Sequence, residues 1–300
     1  MNETVGFVGL GAMGLPMTRV MAGNGVAMVV TDLSAEIRDQ AAATEGVRAV
    51  ASQDQVVAEA DLVFTCVPND AVVRSVYLGD GGIVARAREG QVTVDCSTIS
   101  PGVTQEVHAA LAAKGASHLD ASMLGSVPQA ETGTIGFVVG GDEGAFERAR
   151  PYLDMMGKMV RHAGPSGAGN RIKLIHQTLV AGHAVAVAEA LALCMATETD
   201  IDTFYDIVCG GGGMAYSRYF EKRTPRMRDG DFSPLFMLDL MAKDAGLGQA
   251  LARTAGLETP LLDQVMAVFG RGQAAGLGAE DFSAVARLYE EAVGRRLSES

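Results

Sequence analysis

The chain has 300 residues, a net charge of −12 and a hydrophobic fraction of 48%, with four cysteines and no tryptophan. It is too long for a single nucleotide-binding domain and long enough for two domains with their own cores. The acidic charge argues against a nucleic-acid partner, which would call for a basic face. The cysteines form no Cys-x-x-Cys pair and the histidines show no metal-ligand spacing, so we expect reduced thiols, no metal and a cytoplasmic protein.

The first predicted strand, 5–10, leads into a Gly-x-Gly-x-x-Gly pattern and a helix. In a dinucleotide-binding turn the first glycine makes the tight turn, the second lets the backbone approach a pyrophosphate, and the third lets helix and strand pack closely. The phosphates would lie at the helix N-terminus, where N–H groups and the helix dipole favour negative charge. The strand starts so early that we expect no signal peptide. The predicted turn comprises Gly9, Leu10, Gly11, Ala12, Met13 and Gly14.

The second predicted strand, 27–32, ends in Asp32, which stands 18 residues after Gly14. A carboxylate at this position accepts hydrogen bonds from ribose hydroxyls and repels the 2′-phosphate of NADP. Residues 33–35 bring no Arg or Lys, so we predict NAD as the cofactor. Ser34 is predicted to cap the following helix, 35–43.

Further apolar runs alternate with helical patterns in the first half and predict strands at 47–51, 61–67, 91–96, 117–120, 135–140 and 158–162. This alternation indicates an α/β fold, a parallel doubly wound sheet of the Rossmann type. The second half shows no convincing strand, so we predict an all-α C-terminal domain. A Gly- and Pro-rich turn at 163–167 places the boundary, with a nucleotide-binding domain at 1–164 and a helical substrate and oligomerisation domain at 165–300.

The second domain opens on 28 residues, Asn170 to Thr197, that carry only three charges. A helix that is apolar nearly all round must be covered on every side, so we predict a central helix, with sharing by a partner subunit as one alternative. We expect a homodimer or homotetramer. The part from 178 to 196 is apolar enough to raise the question of a membrane span. Because it contains His183 and Glu189 and lacks an aromatic belt, we predict a buried helix and no membrane.

Lys173 is the leading catalytic candidate, because it lies near the start of this apolar helix. Removing an ammonium from water costs several kcal/mol unless it is paired or neutral, so lysines are rarely buried. His176 and Gln177 follow at i+3 and i+4 and share its face. Beside an oxidised nicotinamide, desolvation and like charge would lower the pKa of Lys173, which suits a general acid and base. The alternative is a first-turn lysine that extends to solvent.

Loops at the carboxyl ends of the strands are expected to face the same cleft. The fourth strand is followed by Val67, Pro68 and Asn69, the fifth by Ser97 and Thr98, and the sixth by Leu124, Gly125 and Ser126. Because Ser100 and Pro101 start the next helix, Ser97 and Thr98 are predicted to be free to donate hydrogen bonds to substrate or nicotinamide. Backbone N–H groups of Gly125 and Ser126 are candidates for binding a carboxylate, with ordinary turn chemistry as the alternative.

Taken together, the chain resembles the β-hydroxyacid dehydrogenase family, which includes 3-hydroxyisobutyrate dehydrogenases and tartronate semialdehyde reductases. The likeness rests on the glycine turn, on 95–101, on 167–173, on Lys243-Asp244 and on 276–284. The resemblance implies that Lys173 is the catalytic lysine and Lys243 closes over the cofactor. It also implies that Gln177 orients the reacting oxygen. Further residues would hold the cofactor or the substrate: His176 and the loop residues Val67, Pro68, Asn69, Ser97, Thr98, Leu124, Gly125 and Ser126.

Two departures from the family pattern affect the substrate pocket. Leu124, Gly125 and Ser126 stand where the family usually reads Ser-Gly-Gly, so we expect a more apolar pocket wall. His176 and Gln177 replace a common Asn-Asn pair. We predict hydride transfer between NAD and a small β-hydroxy acid or the corresponding semialdehyde. The alternatives are a non-catalytic dinucleotide-binding sensor or scaffold, and an imine reductase-like enzyme, a class that typically replaces the lysine.

Overall fold

The computed structural model of the protein describes residues 3–299 and divides into two compact units, Met1–Lys173 and Leu174–Ser300. The first unit contains one eight-stranded sheet with the order β3-β2-β1-β4-β5-β6-β7-β8. Every predicted strand is present. The strands are β1 Val5–Val8, β2 Met28–Thr31, β3 Val47–Ala49, β4 Leu62–Thr65, β5 Val92–Asp95, β6 Ser117–Leu124, β7 Ile135–Gly140 and β8 Gly157–Gly164.

The helices of the first unit cover both faces of this sheet. They are α1 Gly14–Gly23, α2 Ala35–Ala42, α3 Gln53–Glu59, α4 Asp70–Leu78, α5 Ile83–Arg86, α6 Pro101–Ala112, α7 Val127–Glu131 and α8 Glu143–Met156. Neighbouring residues of one strand serve different cores: Phe64 packs in the cluster on one face and Val63 in the cluster on the other. Strands buried on both faces are expected to be continuously apolar, which is why the sequence pattern revealed them.

One strand departs from the predicted parallel sheet, because β7 runs antiparallel to β6. Residues 125–134, which connect the two strands, contain only the five-residue helix α7. A parallel return needs a crossover of a dozen or more residues, so this short connection reverses the chain. The longer helix α8 then brings β8 back parallel to β7. Strand β6 also continues to Leu124, four residues beyond its predicted end, because it pairs with β7 over this length.

The second unit is built from helices, and strand pairing among its described residues is limited to one isolated bridge. Its core is formed by apolar side chains of several helices around Leu191, Met241 and Phe269. The helices are α9 Ala168–Ala196, which begins in the first unit, α10 Ile201–Gly210, α11 Arg218–Arg228, α12 Leu238–Thr254, α13 Pro260–Ala274 and α14 Arg287–Val293, with short 3₁₀ helices at Phe282–Ala286 and Leu297–Glu299. The predicted all-α character of this region is confirmed.

The division between the units falls after residue 173, inside α9, rather than after residue 164 as the turn-rich stretch predicted. The first turn of α9 belongs to the sheet because Asp120 of β6 accepts the backbone N–H groups of Gly167 and Asn170. A glycine- and proline-rich turn marks where the chain leaves β8, but these hydrogen bonds hold the next turn of helix to the same unit.

Helix α9 is not covered on every side within one chain, so the predicted alternative of cover by a partner subunit stays open. Ile172, Ile175, Leu179 and Leu193 are all exposed, with Leu179 at 62%. Their spacing puts them on one side of the helix, where Ile172, Ile175 and Leu179 form an apolar stripe. The exposed His183 and Glu189 separate this stripe from Leu193. By length and hydropathy α9 would also qualify as a membrane span, the one such helix among residues 3–299. Core helices of water-soluble proteins meet the same criterion.

Candidate functional site

The turn between β1 and α1 is built as a dinucleotide-binding turn requires. Gly9 has a φ of +89°, and a Cβ there would overlap the carbonyl oxygen of Cys66. A Cβ on Gly14 would overlap the carbonyl of Gly9, whereas one on Gly11 would meet open space. Leu15 and Met17 of α1 already donate their N–H groups to carbonyls of the turn, and no acidic residue occupies the first turn of the helix. The turn therefore offers an open backbone surface and a helix N-terminus that suit a pyrophosphate.

Asp32 lies next to this turn and is locked to it. Its Oδ2 accepts the backbone N–H of Leu10 at 2.7 Å, and its Oδ1 accepts that of Ser34 at 2.9 Å. A carboxylate oxygen has two lone pairs, so each oxygen retains capacity for a ribose hydroxyl. Ser34 also caps α2 as predicted, because its hydroxyl accepts the N–H of Ile37.

Arg38 is a residue of this region that sequence reasoning missed. It lies on α2, where its guanidinium donates to the carbonyls of Asp32 at 2.6 Å and Leu33 at 3.2 Å. Arg38 lies beyond residues 33–35, one helical turn after Ser34, and points back toward the strand end. Its side chain fixes the loop that carries the ribose-binding carboxylate.

The loop after β5 is held by a fully buried carboxylate. Oδ1 of Asp95 accepts the N–H of Ser97 at 3.1 Å, its hydroxyl at 2.6 Å and the hydroxyl of Thr65 at 2.8 Å. Burial raises the pKa of Asp95. The Ser97 oxygen accepts the N–H of Val67 at 2.9 Å. The predicted free donor is thus already used, because the single hydroxyl proton of Ser97 is directed at Asp95. Thr98 is half-buried and stays a candidate.

Asn69, predicted to contact the cofactor, and Ser100, predicted to cap a helix, both form hydrogen bonds within the protein. The side chain of Asn69 accepts the N–H of Val72 and so caps α4. Ser100 precedes α6 as predicted, but its hydroxyl and N–H donate to Asp70 at 2.6 and 2.9 Å instead of capping its own helix. These bonds tie the loops after β4 and β5 together, which keeps Val67, Pro68 and Thr98 in a fixed arrangement.

The predicted carboxylate loop after β6 starts a short helix. Ser126 forms a capping box with Gln129, whose Oε1 accepts both the N–H and the hydroxyl of Ser126 at 2.9 Å. The Ser126 hydroxyl, which stands two positions after the serine of the family pattern, therefore stabilises the start of α7. Leu124 is half-buried at the end of β6, and Gly125 is exposed at the turn. The Ser-x-x-Gln spacing was readable in the sequence as a capping box.

Lys173 lies in the second turn of α9 and is only 7% exposed. Three residues before it, Asn170 is fully buried and bonded on both sides. Its amide nitrogen donates to the Thr104 hydroxyl at 2.8 Å, and its oxygen accepts the Ser122 hydroxyl at 3.0 Å. The described residues of the first unit therefore contain the glycine turn, Asp32 and the start of the helix that presents the candidate lysine.

In the second unit, Gln177 continues the Lys173 face of α9. Its amide nitrogen donates to Oδ2 of the buried Asp244 at 2.7 Å, and its oxygen is 3.1 Å from Nδ1 of His176. A carboxylate only accepts, so the amide oxygen must face His176, and Nδ1 carries the proton. Lys243 reaches the other Asp244 oxygen, with Nζ to Oδ1 at 3.0 Å. The two neighbours on α12 therefore contact each other.

Groups of three or more side chains that suit a metal do not occur among residues 3–299. What the site presents is a glycine turn at a helix N-terminus, a carboxylate at the adjacent strand end, and a buried amine. These features define a nicotinamide dinucleotide-dependent oxidoreductase.

Comparison with known proteins gives the family. Residues 4–164 match the NAD binding domain of 6-phosphogluconate dehydrogenase, and residues 167–289 match the NAD-binding region of NADP-dependent 3-hydroxyisobutyrate dehydrogenase. The chain is 34% identical over 294 residues to 2-(hydroxymethyl)glutarate dehydrogenase of Eubacterium barkeri, covering 98% of this chain and 97% of that protein. It is 34% identical over 300 residues to NAD-dependent L-serine dehydrogenase of Pseudomonas aeruginosa, covering 98% and 100%.

Among solved structures, 3-hydroxyisobutyrate dehydrogenase of Mycobacterium tuberculosis with L-serine has a TM-score of 0.88 at 32% identity, covering 96% of this chain and 99% of that one. The chain belongs to the β-hydroxyacid dehydrogenase family. It is an oxidoreductase that binds NAD and transfers a hydride between NAD and a hydroxy acid. The predicted family, fold class and cofactor are confirmed.

Proposed function

We propose that the protein oxidises a β-hydroxy carboxylate that bears a primary alcohol, or reduces the corresponding semialdehyde, with Lys173 as general acid and base. The names of three relatives share one chemical unit: 2-(hydroxymethyl)glutarate, L-serine and 3-hydroxyisobutyrate each carry a CH₂OH group on the carbon next to a carboxylate. The substituent on that carbon differs among them. The substrate class proposed here is defined by the shared unit.

The observation that carries the proposal is the buried amine of Lys173, at 7% exposure, in the place of the family's catalytic lysine. In the oxidation, the Lys173 amine takes the alcohol proton, while NAD, when bound, would accept the hydride from the alcohol carbon. In the reduction, the lysine returns the proton to the oxygen as the hydride arrives at the aldehyde carbon. NAD supplies the hydride acceptor, and the chain supplies the proton transfer and the orientation of the reactants.

The remaining predicted residues take supporting roles in this proposal. Gln177 lies one turn after Lys173, and its amide is held by Asp244, so it can orient the reacting oxygen without moving itself. The N–H of Gly125 and the hydroxyl of Thr98 bind the carboxylate, whereas the N–H of Ser126 is already donated to Gln129. Leu124 and His176 face the variable substituent and set its size and polarity. Lys243 covers the cofactor.

We also propose a cytoplasmic homodimer or homotetramer. The support is the apolar stripe of α9, because exposed side chains such as Ile175 and Leu179 recur along one side of a long helix. A second copy of the chain would bury this stripe. Clustered exposed apolar side chains such as these favour an interaction site.

The test is the change in absorbance at 340 nm with purified protein, NAD and a panel of hydroxy acids. We expect turnover of acids that contain the shared unit and a loss of at least about a hundredfold in Lys173→Ala. Lys222→Ala is the matched control, because its side chain is 59% exposed on α11, and it should keep normal turnover. NAD binding without turnover of any panel member would refute the proposal. Turnover of cyclic imines alone would favour the imine reductase alternative.

A further inference from the structure

Asp120 is a fully buried carboxylate to which neither the family resemblance nor the proposed catalytic mechanism assigns a role. It lies on β6, four residues before Leu124. Its Oδ1 accepts the N–H of Gly167 at 2.8 Å, and its Oδ2 accepts the N–H of Asn170 at 2.8 Å. These are donors at the start of α9, where a helix has no internal acceptors for them. Asp120 therefore caps α9 from a different element, 47 and 50 residues away in sequence.

The surroundings are shaped to bring strand and helix this close. A Cβ on Gly140 would lie 2.5 Å from Asp120 Oδ1, and a Cβ on Gly169 would lie 2.7 Å from the Asp120 carbonyl oxygen. Any larger residue at either place would push α9 away from the sheet. Asn170 strengthens the attachment, because Ser122 of β6 and Thr104 of α6 hold its amide.

We propose that Asp120 is a positioning residue for Lys173: it fixes the start of the helix that carries the lysine to the strand that carries the carboxylate loop. Lys173 follows Asn170 by three residues, and Gly125 follows Asp120 by five. The carboxylate of Asp120 thus joins two short segments, one that leads to the proton-transfer group and one that leads to the substrate-binding N–H of Gly125. This inference rests on the proposed function.

The physical reason is the sensitivity of catalysis to distance. A substrate held by its carboxylate reacts only if the amine meets the alcohol oxygen, and a misplacement of about 1 Å is enough to lower a rate about a hundredfold. A charge-assisted bond to two N–H groups is stronger than a neutral one. Although burial raises the pKa of Asp120 to about 6, with the two N–H donors opposing this rise, the group is ionised at neutral pH.

The experiment compares Asp120→Asn with Asp142→Asn in the full-length protein. Asparagine keeps the shape but turns an NH₂ group toward one of the two backbone N–H donors. Asp142 is the matched control, because its carboxylate caps α8 by accepting the N–H of Ala145 at 2.9 Å. For D120N we expect kcat to fall by about tenfold or more while KM and the dissociation constant of NAD change by less than about twofold. For D142N all three should stay within about twofold of wild type.

A capping role without positioning would lower thermal stability in both variants and leave kcat alone. D120N with unchanged kcat would therefore overturn the proposal. If D120N does not fold, Thr104→Val and Ser122→Ala take its place, because they loosen Asn170 while Asp120 remains. Each should lower kcat severalfold at unchanged NAD affinity, and normal kcat in both would refute the positioning role. A failure of the proposed function can be distinguished from a failure of the positioning role. The proposed function fails if K173A keeps its turnover, irrespective of the kcat of D120N.

Discussion

Replacement of Asp32 by alanine tests how the cofactor is selected. The carboxylate is held by the N–H groups of Leu10 and Ser34, and its remaining lone pairs are assigned to the ribose. Alanine removes these acceptors and the negative charge that repels a 2′-phosphate. Arg38, whose guanidinium lies at the Asp32 and Leu33 carbonyls, then becomes the dominant charge at this end of the site.

The magnitude follows from the bonds that are lost. A hydrogen bond to a charged group contributes about 1.5–3 kcal/mol, which at about 1.4 kcal/mol per factor of ten weakens NAD by about 10- to 150-fold. The variant also leaves the N–H of the buried Leu10 without its acceptor, which costs about 1–3 kcal/mol of folding stability. At about 2–4 °C per kcal/mol, the Tm is expected to fall by several degrees.

The assay is calorimetric titration of NADH and NADPH at fixed ionic strength, with a thermal scan of each variant. We expect the ratio of NADH to NADPH affinity to fall by about tenfold or more in Asp32→Ala, and NADPH binding to weaken again when Arg38→Ala is added. Asp39→Ala removes the same charge from an exposed position of α2 and serves as the control. An unchanged ratio in folded D32A would refute the assignment of Asp32 to the ribose.

Three further outcomes are expected. Because burial raises the pKa of Asp120 from 3.8 to about 6, the stability linked to its protonation in the folded state is present below about pH 4 and is lost as the pH rises through 6. The unfolding free energy of wild type minus that of D120N, from urea titrations, should thus fall by about 3 kcal/mol between about pH 4 and pH 7; a constant difference would contradict this. Ser97→Ala removes the bridge between Val67 and Asp95 and should lower the unfolding free energy by about 1–3 kcal/mol, whereas a purely substrate-directed hydroxyl predicts no change. Leu179→Lys should dissociate the oligomer in light scattering, and the equally exposed Leu257→Lys should not; a monomeric wild type would contradict the assembly.

Much of the fold is encoded in local patterns. The strands are apolar on both faces, so continuous runs located all eight, and Ser34 marked the start of α2 because capping acts over three residues. The direction of β7 was not predicted, since a buried strand has the same composition in either direction. The length of the connection decides it, because residues 125–134 are too few for a parallel crossover.

The site was predicted where it depends on backbone geometry and missed where it depends on distant partners. The glycine turn and Asp32 have local signatures. Asp120 has none, because its two N–H donors lie 47 and 50 residues along the chain. The task of Ser97 likewise depends on Val67 of the neighbouring loop. The exposed stripe of α9 was not predicted, because the apolar composition of a helix indicates that it is buried but not whether its own chain or a partner buries it.

The central claim is proton transfer by Lys173, and single-turnover kinetics test it most directly. Enzyme saturated with NAD is mixed with a hydroxy acid of the proposed class, and the formation of NADH is followed at 340 nm in wild type and K173A. If Lys173 transfers the proton, we expect a first-turnover rate at least about a hundredfold lower in K173A, with NAD affinity unchanged. A first turnover at the wild-type rate in K173A would contradict it.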